Sequence, residues 1–302
     1  MADDKLGFIG LGAMGLGVAR SLVRGGLMVA GYDVRAEARA ALVEAGGDAV
    51  DEAALAARDA AVLILCVVSA QQIDDLLFGP NDCAGVLPEG ATVVCSATVP
   101  PAYARALGER LAARGLHLLD APISGGAAAA EAGQLTVMAA GSAEAFAAAA
   151  PALDAMARKT FRLGETPGLG STVKAVNQLM AGVNLVTAAE GMAFGAKLGA
   201  DPEVLLEVLT QSAGGSWMLA NRGPAMVSGD FTPLSAMTIW RKDLGIVLDT
   251  ARELGLPTPM AATAFQIALR GIAAGWGDLS DAALVKVYEQ DGGMRVSAAN
   301  DA

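Results

Sequence analysis

The stretch "GFIGLGAMG", residues 7–15, decides the fold. It carries G-x-G-x-x-G at Gly10, Gly12 and Gly15, directly after a short apolar run and directly before an amphipathic one, "MGLGVARSLVRGG". Strand, tight turn and helix in that order are the setting in which this motif holds a dinucleotide. Gly10 permits the turn, Gly12 lets backbone approach a pyrophosphate, and Gly15 lets the helix close on the strand. Leu11, Ala13 and Met14 complete a loop at a helix N-terminus, where free N–H groups and the dipole favour anions. Asp33 ends the next apolar run, "LMVAGYD" (27–33). A carboxylate there accepts from ribose hydroxyls and repels a 2′-phosphate, so NAD is expected over NADP. Arg35, two residues on, is placed to soften that preference. The structural alternative is that the glycines merely pack and Asp33 caps the following helix.

The pattern repeats outward from the motif. "AEARAALVEAG" reads as a helix, "AAVLILCVV" (60–68) as a strand and "AQQIDDLLFG" as a helix. "GATVVCSAT" reads as a strand, "PPAYARALGERLAARG" as a helix and "LHLLDAP" as a strand. Apolar strands divided by amphipathic helices indicate a parallel sheet covered on both faces. "GQLTVMAAG" (133–141), "AEAFAAAAPALDAMA" and "KTFRLG" (159–164) add a strand, a helix and a last strand. After "ETPGLG" the strand signals stop and helical ones continue. The expected fold class is α/β: an N-terminal Rossmann doubly wound parallel sheet over 1–166, followed by an all-α domain over 167–302.

The net charge of −11 argues against a nucleic-acid partner and against an anionic membrane surface. The longest uninterrupted apolar run, residues 60–68, is far short of a membrane span. "MADDKLGFIG" is acidic and enters a strand at once, unlike a signal peptide, so a cytoplasmic location is expected. Cys66, Cys83 and Cys95 form no CxxC pair and read as buried structural thiols. His117 is the single histidine, which leaves little material for histidine acid–base chemistry or for a metal site, and no metal is expected.

"GSTVKAVNQLMAGVNLVTAAEG" (170–191) reads as one long, mostly apolar helix with a single cation, Lys174. Its helical neighbours are Gly170, Ser171, Asn177 and Gln178, and no acid occurs between Glu165 and Glu190. Lys174 is therefore a lysine whose head reaches water, or a working amine in a cleft. "DAPISGG" (120–126) follows a strand, and Ser124, Gly125 and Gly126 offer a hydroxyl and amides suited to a carboxylate. The same stretch fits a structural turn equally well.

Four motifs in order, "GFIGLGAMG", "DAPISGG", "GLGSTVKAVNQ" and "KDLG" (242–245), resemble those of the β-hydroxyacid dehydrogenases over nearly the whole chain. The resemblance implies a Rossmann domain followed by an all-helical domain like that of 6-phosphogluconate dehydrogenase, which binds substrate and dimerises. It implies NAD-dependent oxidation of a small hydroxyacid, with Lys174 as general base in oxidation and general acid in reduction. To act as base Lys174 must lose a proton well below its ordinary pKa of about 10.4, through burial in an interdomain cleft or a neighbouring cation such as Lys242. Asn177 and Gln178 would orient the amine and a substrate hydroxyl. The family's amide is not distinguished between these two positions. Ser124, Gly125 and Gly126 would hold the substrate carboxylate with Lys174 and Lys242. Val67, Val68, Thr98 and Lys242 would contact NAD, and Asp243 would orient its neighbours. Trp217, Met218, Asn221 and Arg222 would serve specificity or an interface, and a packed core turn fits Trp217 at least as well. Relatives are dimers or tetramers, so a homodimer or homotetramer is expected. The competing reading is a dinucleotide sensor that keeps the fold without turnover.

Overall fold

The computed structural model describes residues 5–233 and 235–297. Contacts divide the chain into two units, Met1–Ala175 and Val176–Ala302.

The first unit is built on nine strands: β1 (Leu6–Ile9), β2 (Val29–Tyr32), β3 (Asp48–Ala49), β4 (Val62–Leu65), β5 (Thr92–Cys95), β6 (His117–Asp120), β7 (Ile123–Ser124), β8 (Leu135–Ala140) and β9 (Ala157–Gly164). Their order is β3-β2-β1-β4-β5-β6-β8-β7, with β9 also paired to β8. From β3 to β6 every pairing is parallel, for example Phe8 with Gly31 on one side and with Ile64 on the other. The helices are α1 (Gly15–Arg24), α2 (Ala36–Glu44), α3 (Ala53–Ala57), α4 (Ala70–Leu77), α5 (Cys83–Val86), α6 (Pro101–Ala112), α7 (Gly126–Glu131) and α8 (Ala143–Met156). Successive strand side chains point to opposite faces, and both faces are buried. Phe8, Val62 and Ile64 join Val18 and Leu22 of α1 and Phe146 of α8. Ile9, Leu63 and Leu65 join Ile73 of α4 and Leu107 and Leu111 of α6. Strand order reverses at β1, and in open α/β sheets the crevice at such a reversal receives the ligand.

The sheet is not parallel throughout. β8 runs antiparallel to β6, through Asp120 and Ala140, and antiparallel to β7, through Ile123 and Val137. Gly125 at φ 135° and Gly126 at φ 78° turn the chain back directly after β7, so the returning strand lies antiparallel beside it. β3, β7, α3, α5 and α7 are too short to show a period in the sequence.

α9 (Leu169–Lys197) begins in the first unit and continues in the second. By length and composition alone it is long and apolar enough to cross a membrane. The core helices of globular proteins pass the same test. The second unit continues with α10 (Pro202–Thr210), α11 (Trp217–Ser228), α12 (Ile239–Glu253), α13 (Pro259–Gly271) and α14 (Val285–Gly292). Asp201 accepts the Glu203 and Val204 amides and Pro202 opens α10, while Ser216 accepts the Leu219 amide at the start of α11. Met192, Met226, Trp240 and Leu244 lie in this unit's core.

Candidate active site

Gly10 follows β1 at φ 99°, and a Cβ there would lie 2.5 Å from the Cys66 carbonyl oxygen. A Cβ on Gly15 would lie 1.8 Å from the Gly10 oxygen. Both positions admit only glycine. Gly12 differs: nothing lies within 4 Å of its Cβ direction. Among the described residues the amides of Gly12, Ala13 and Met14 make no hydrogen bond, whereas the Leu11 amide donates to Asp33 Oδ2 at 2.8 Å. Open space over Gly12 and a run of unengaged donors at the start of α1 fit a pyrophosphate.

Asp33 is buried at the end of β2. Its Oδ1 accepts from the Arg35 amide at 2.9 Å and from Arg35 Nε at 3.0 Å, and Arg35 Nη2 donates to the Leu11 carbonyl. Burial acts to raise its pKa, but the bonds from Arg35 and Leu11 outweigh it and hold the carboxyl below the usual range. With Arg35 Nη2 also 3.3 Å from Oδ2, its roughly four acceptor positions are all engaged. Ribose hydroxyls would have to compete with Arg35 for them. Asp33 thus ties the glycine-rich loop to β2, and it does not cap α2, whose N-cap is Arg35 with no side-chain cap bond.

Val67 is half-buried and Val68 exposed after β4, with the Val68 amide donating to Gln72 Oε1 at 2.8 Å. Thr98 is half-buried beyond β5. Ser124 ends β7, and Gly125 and Gly126 form the turn that follows.

Lys174 is not a solvated lysine. It is 7% exposed, and its Nζ donates to the Ile123 carbonyl at 2.8 Å, beside Ser124. The start of its helix is held by Asp120, the first residue of "DAPISGG". Asp120 Oδ2 accepts the Gly168 amide at 2.8 Å and the Ser171 amide at 2.9 Å, and Oδ1 accepts Ser171 Oγ at 2.7 Å. Asp120 is fully buried; burial raises its pKa, opposed by the hydrogen bonds from Ser171 and Gly168. The sequence reading missed this pair. The signals were present: an acid closing an apolar strand, and a serine in a first helical turn.

Within the second unit, Asn177 Nδ2 donates to Gln178 Oε1 at 2.9 Å, and Gln178 Nε2 donates to Asp243 Oδ2. Lys242 Nζ lies 2.6 Å from Asp243 Oδ1, close enough for an ion pair although Oδ1 lacks hydrogen-bond geometry to any donor among the described residues. Asp243 is 3% exposed and Gln178 buried. Gln178 is therefore fixed on both sides of its amide, and Asn177 keeps its carbonyl oxygen without a partner among the described residues. Arg222 is locked to Asp281, with Nε 2.6 Å from Oδ1, and Trp240 Nε1 donates to the same carboxylate. Arg222 and the buried Met218 thus serve the core, while Trp217 and Asn221 are exposed. The three cysteines are free; burial pushes the Cys83 and Cys95 thiols up to about 12. His117 is half-buried at the start of β6.

Comparison with known proteins shows the family. Residues 5–164 match the NAD binding domain of 6-phosphogluconate dehydrogenase, and residues 168–288 match the family described as NAD-binding of NADP-dependent 3-hydroxyisobutyrate dehydrogenase. An L-threonate dehydrogenase of Cupriavidus necator is 50% identical over 94% of this chain and 96% of its own length. One from Escherichia coli (strain K12) is 45% identical over 95% of both. A crystal structure described as 3-hydroxyisobutyrate dehydrogenase from Salmonella typhimurium is 43% identical, with a TM-score of 0.88 over 94% of this chain and 99% of that one. The chain belongs to the β-hydroxyacid dehydrogenase family. It is an NAD-dependent oxidoreductase acting on small hydroxyacids.

Proposed function

We propose that the substrate is L-threonate, oxidised to its 2-oxo acid, and that Lys174 is the proton acceptor. The observation that carries the lysine's role is its burial, with Nζ on the Ile123 carbonyl one residue from Ser124. The substrate rests on the relatives named L-threonate dehydrogenase. The 43% identical crystal structure described as 3-hydroxyisobutyrate dehydrogenase supports a second reading, that acid as substrate. Tartronate semialdehyde reduction is a third reading.

In this reading residues 1–166 bind the dinucleotide, and residues 167–302 select the substrate and pair with a second copy. NAD, when bound, supplies the hydride acceptor. Gly10, Leu11, Gly12, Ala13, Met14 and Gly15 cradle its pyrophosphate, Asp33 takes the ribose, and Val67, Val68 and Thr98 line its path. Ser124, Gly125 and Gly126 hold the substrate carboxylate. Lys174, as the neutral amine, takes the hydroxyl proton, and in the reverse direction the ammonium returns it. Asn177 meets the substrate, because Gln178 is already fixed by Asp243. Lys242 contacts cofactor and substrate on the strength of its motif. A homodimer or homotetramer is supported by exposed Phe194, Leu198, Val204 and Val208 on and around α9 and α10. A cytoplasmic location completes the reading.

The test follows NADH formation with L-threonate, D-erythronate, 3-hydroxyisobutyrate and D-glycerate. L-threonate should have the highest kcat/KM; a better rate on another acid would move the substrate and keep the mechanism. Lys174→Ala should lower kcat by about 10²–10⁴-fold with NAD binding retained. Wild-type turnover in that variant would remove the base assignment.

A further inference from the structure

We infer that Asp120 is a positioning residue for Lys174, a buried carboxylate that sets the height and rotation of the first turns of α9 so that the amine meets the segment after β6. The inference rests on Lys174 being the acid–base group. Two rungs join one extended segment to one helix face. Asp120 holds the Gly168 and Ser171 amides and the Ser171 hydroxyl, and Ile123, three residues on, receives Lys174 Nζ. Ser171 and Lys174 are also three apart, which on a helix places them on the same side. A rotation of α9 by one residue, about 100°, would carry the amine off its carbonyl. Asp120 and Ser171 leave little room for one: they are 0% and 1% exposed.

Gly170 brings the two backbones together between these rungs. A Cβ there would sit 2.4 Å from the Asp120 carbonyl oxygen and 2.5 Å from that of Met138. The helix start is therefore pressed onto β6 and β8, and the Asp120 carboxylate fixes its turn about the axis. The Gly168 and Ser171 amides and the Ser171 hydroxyl all donate to one carboxylate, and such charge-assisted bonds are strong and directional.

Asparagine discriminates position from charge. Its carbonyl can take the two amides while its NH₂ donates to Ser171 Oγ, which turns to accept. Asp120→Asn should therefore keep kcat within about threefold of wild type, whereas Asp120→Ala should approach the Lys174→Ala level. Ser171→Ala, the milder change, should lower kcat about tenfold, the factor a charge-assisted hydrogen bond sets, and leave the Kd for NAD unchanged. It should also shift the pH profile of kcat, because the amine's surroundings move.

The deciding measurement is Ser171→Ala made in both wild-type and Lys174→Ala enzyme. The tenfold loss is expected in the first and less than about twofold in the second, because the effect passes through the amine. Equal factors in both, or no loss in the first, would overturn the inference; so would an Asp120→Asn enzyme as impaired as Asp120→Ala. If Asp120→Ala does not fold, the Ser171 pair still decides. Full turnover in Lys174→Ala alone would fell the base reading and this inference together. An impaired Lys174→Ala with equal Ser171 factors would fell this inference alone.

Discussion

The approaches to two helices that start in the first unit share the same three residue types in order. Gly10-Leu11-Gly12 opens the approach to α1, and Gly168-Leu169-Gly170 starts α9; in both, the first glycine sits at φ 99°. The third glycine separates them. Gly12 faces open space, whereas Gly170 has backbone oxygens where a Cβ would go. The anion differs too. At α9 the protein supplies its own, Asp120, which takes the amides of Gly168 and Ser171. At α1 Asp33 takes only the Leu11 amide, and those of Gly12, Ala13 and Met14 stay unengaged among the described residues. A glycine-rich helix start is thus a ligand cradle only when no side chain from the adjoining strand fills it.

Exchanging the two glycines' fates would break this comparison. Gly170→Ala should cost about 1–3 kcal/mol or more, because neither backbone oxygen can step aside, read as a lower urea midpoint. Gly12→Ala should leave that midpoint unchanged and weaken NAD about tenfold by filling the space the pyrophosphate needs. Normal NAD affinity in Gly12→Ala would show that the open space is not the cofactor's.

The acid at α1 sharpens the contrast on a smaller scale. Arg35→Ala releases Asp33 from its ion pair and should tighten NAD by about threefold while raising discrimination against NADP. Asp33→Ala should relax that discrimination. Weaker NAD binding in Arg35→Ala would mean that the guanidinium itself holds the cofactor.

The smallest effect is on stability against pH. The Asp33 carboxyl titrates below its ordinary range in the folded protein, so its contribution is present above the unfolded pKa of about 3.9 and is lost as pH falls through the folded value. The urea-midpoint gap between wild type and Asp33→Asn should shrink across that acid window and stay level from there to neutral pH. A gap independent of pH would show that Asp33 acts without its charge.

Much of this was legible in residue patterns, and the limits have physical causes. The alternation from "GFIGLGAMG" to "KTFRLG" is dense in apolar runs, so β1, β2, β4, β5, β6, β8 and β9 could be read directly. The antiparallel return of β8 could not, because it depends on two positive-φ glycines following a two-residue strand. Lys174 stood out for lacking an acidic neighbour on its helix, but its burial and its carbonyl partner are long-range facts. Asp33 was legible as an acid at the right place; its occupation by Arg35 was not, since side-chain rotamers leave no trace in spacing. Arg222 misled for the opposite reason: its partner Asp281 is distant in sequence, so a core ion pair looked like a surface specificity residue.

The Asp120 staple also bears on modularity. The two family matches meet between residues 164 and 168, which suggests a place to cut the chain into a free-standing nucleotide module. Asp120 draws its donors from Gly168 and Ser171, beyond that place. A fragment ending there would keep every strand yet leave the buried Asp120 carboxyl without those donors, which raises its pKa further and favours the protonated form or entry of water beside β6. During synthesis the same dependence means that Asp120 gains these donors only once the first turn of α9 has emerged.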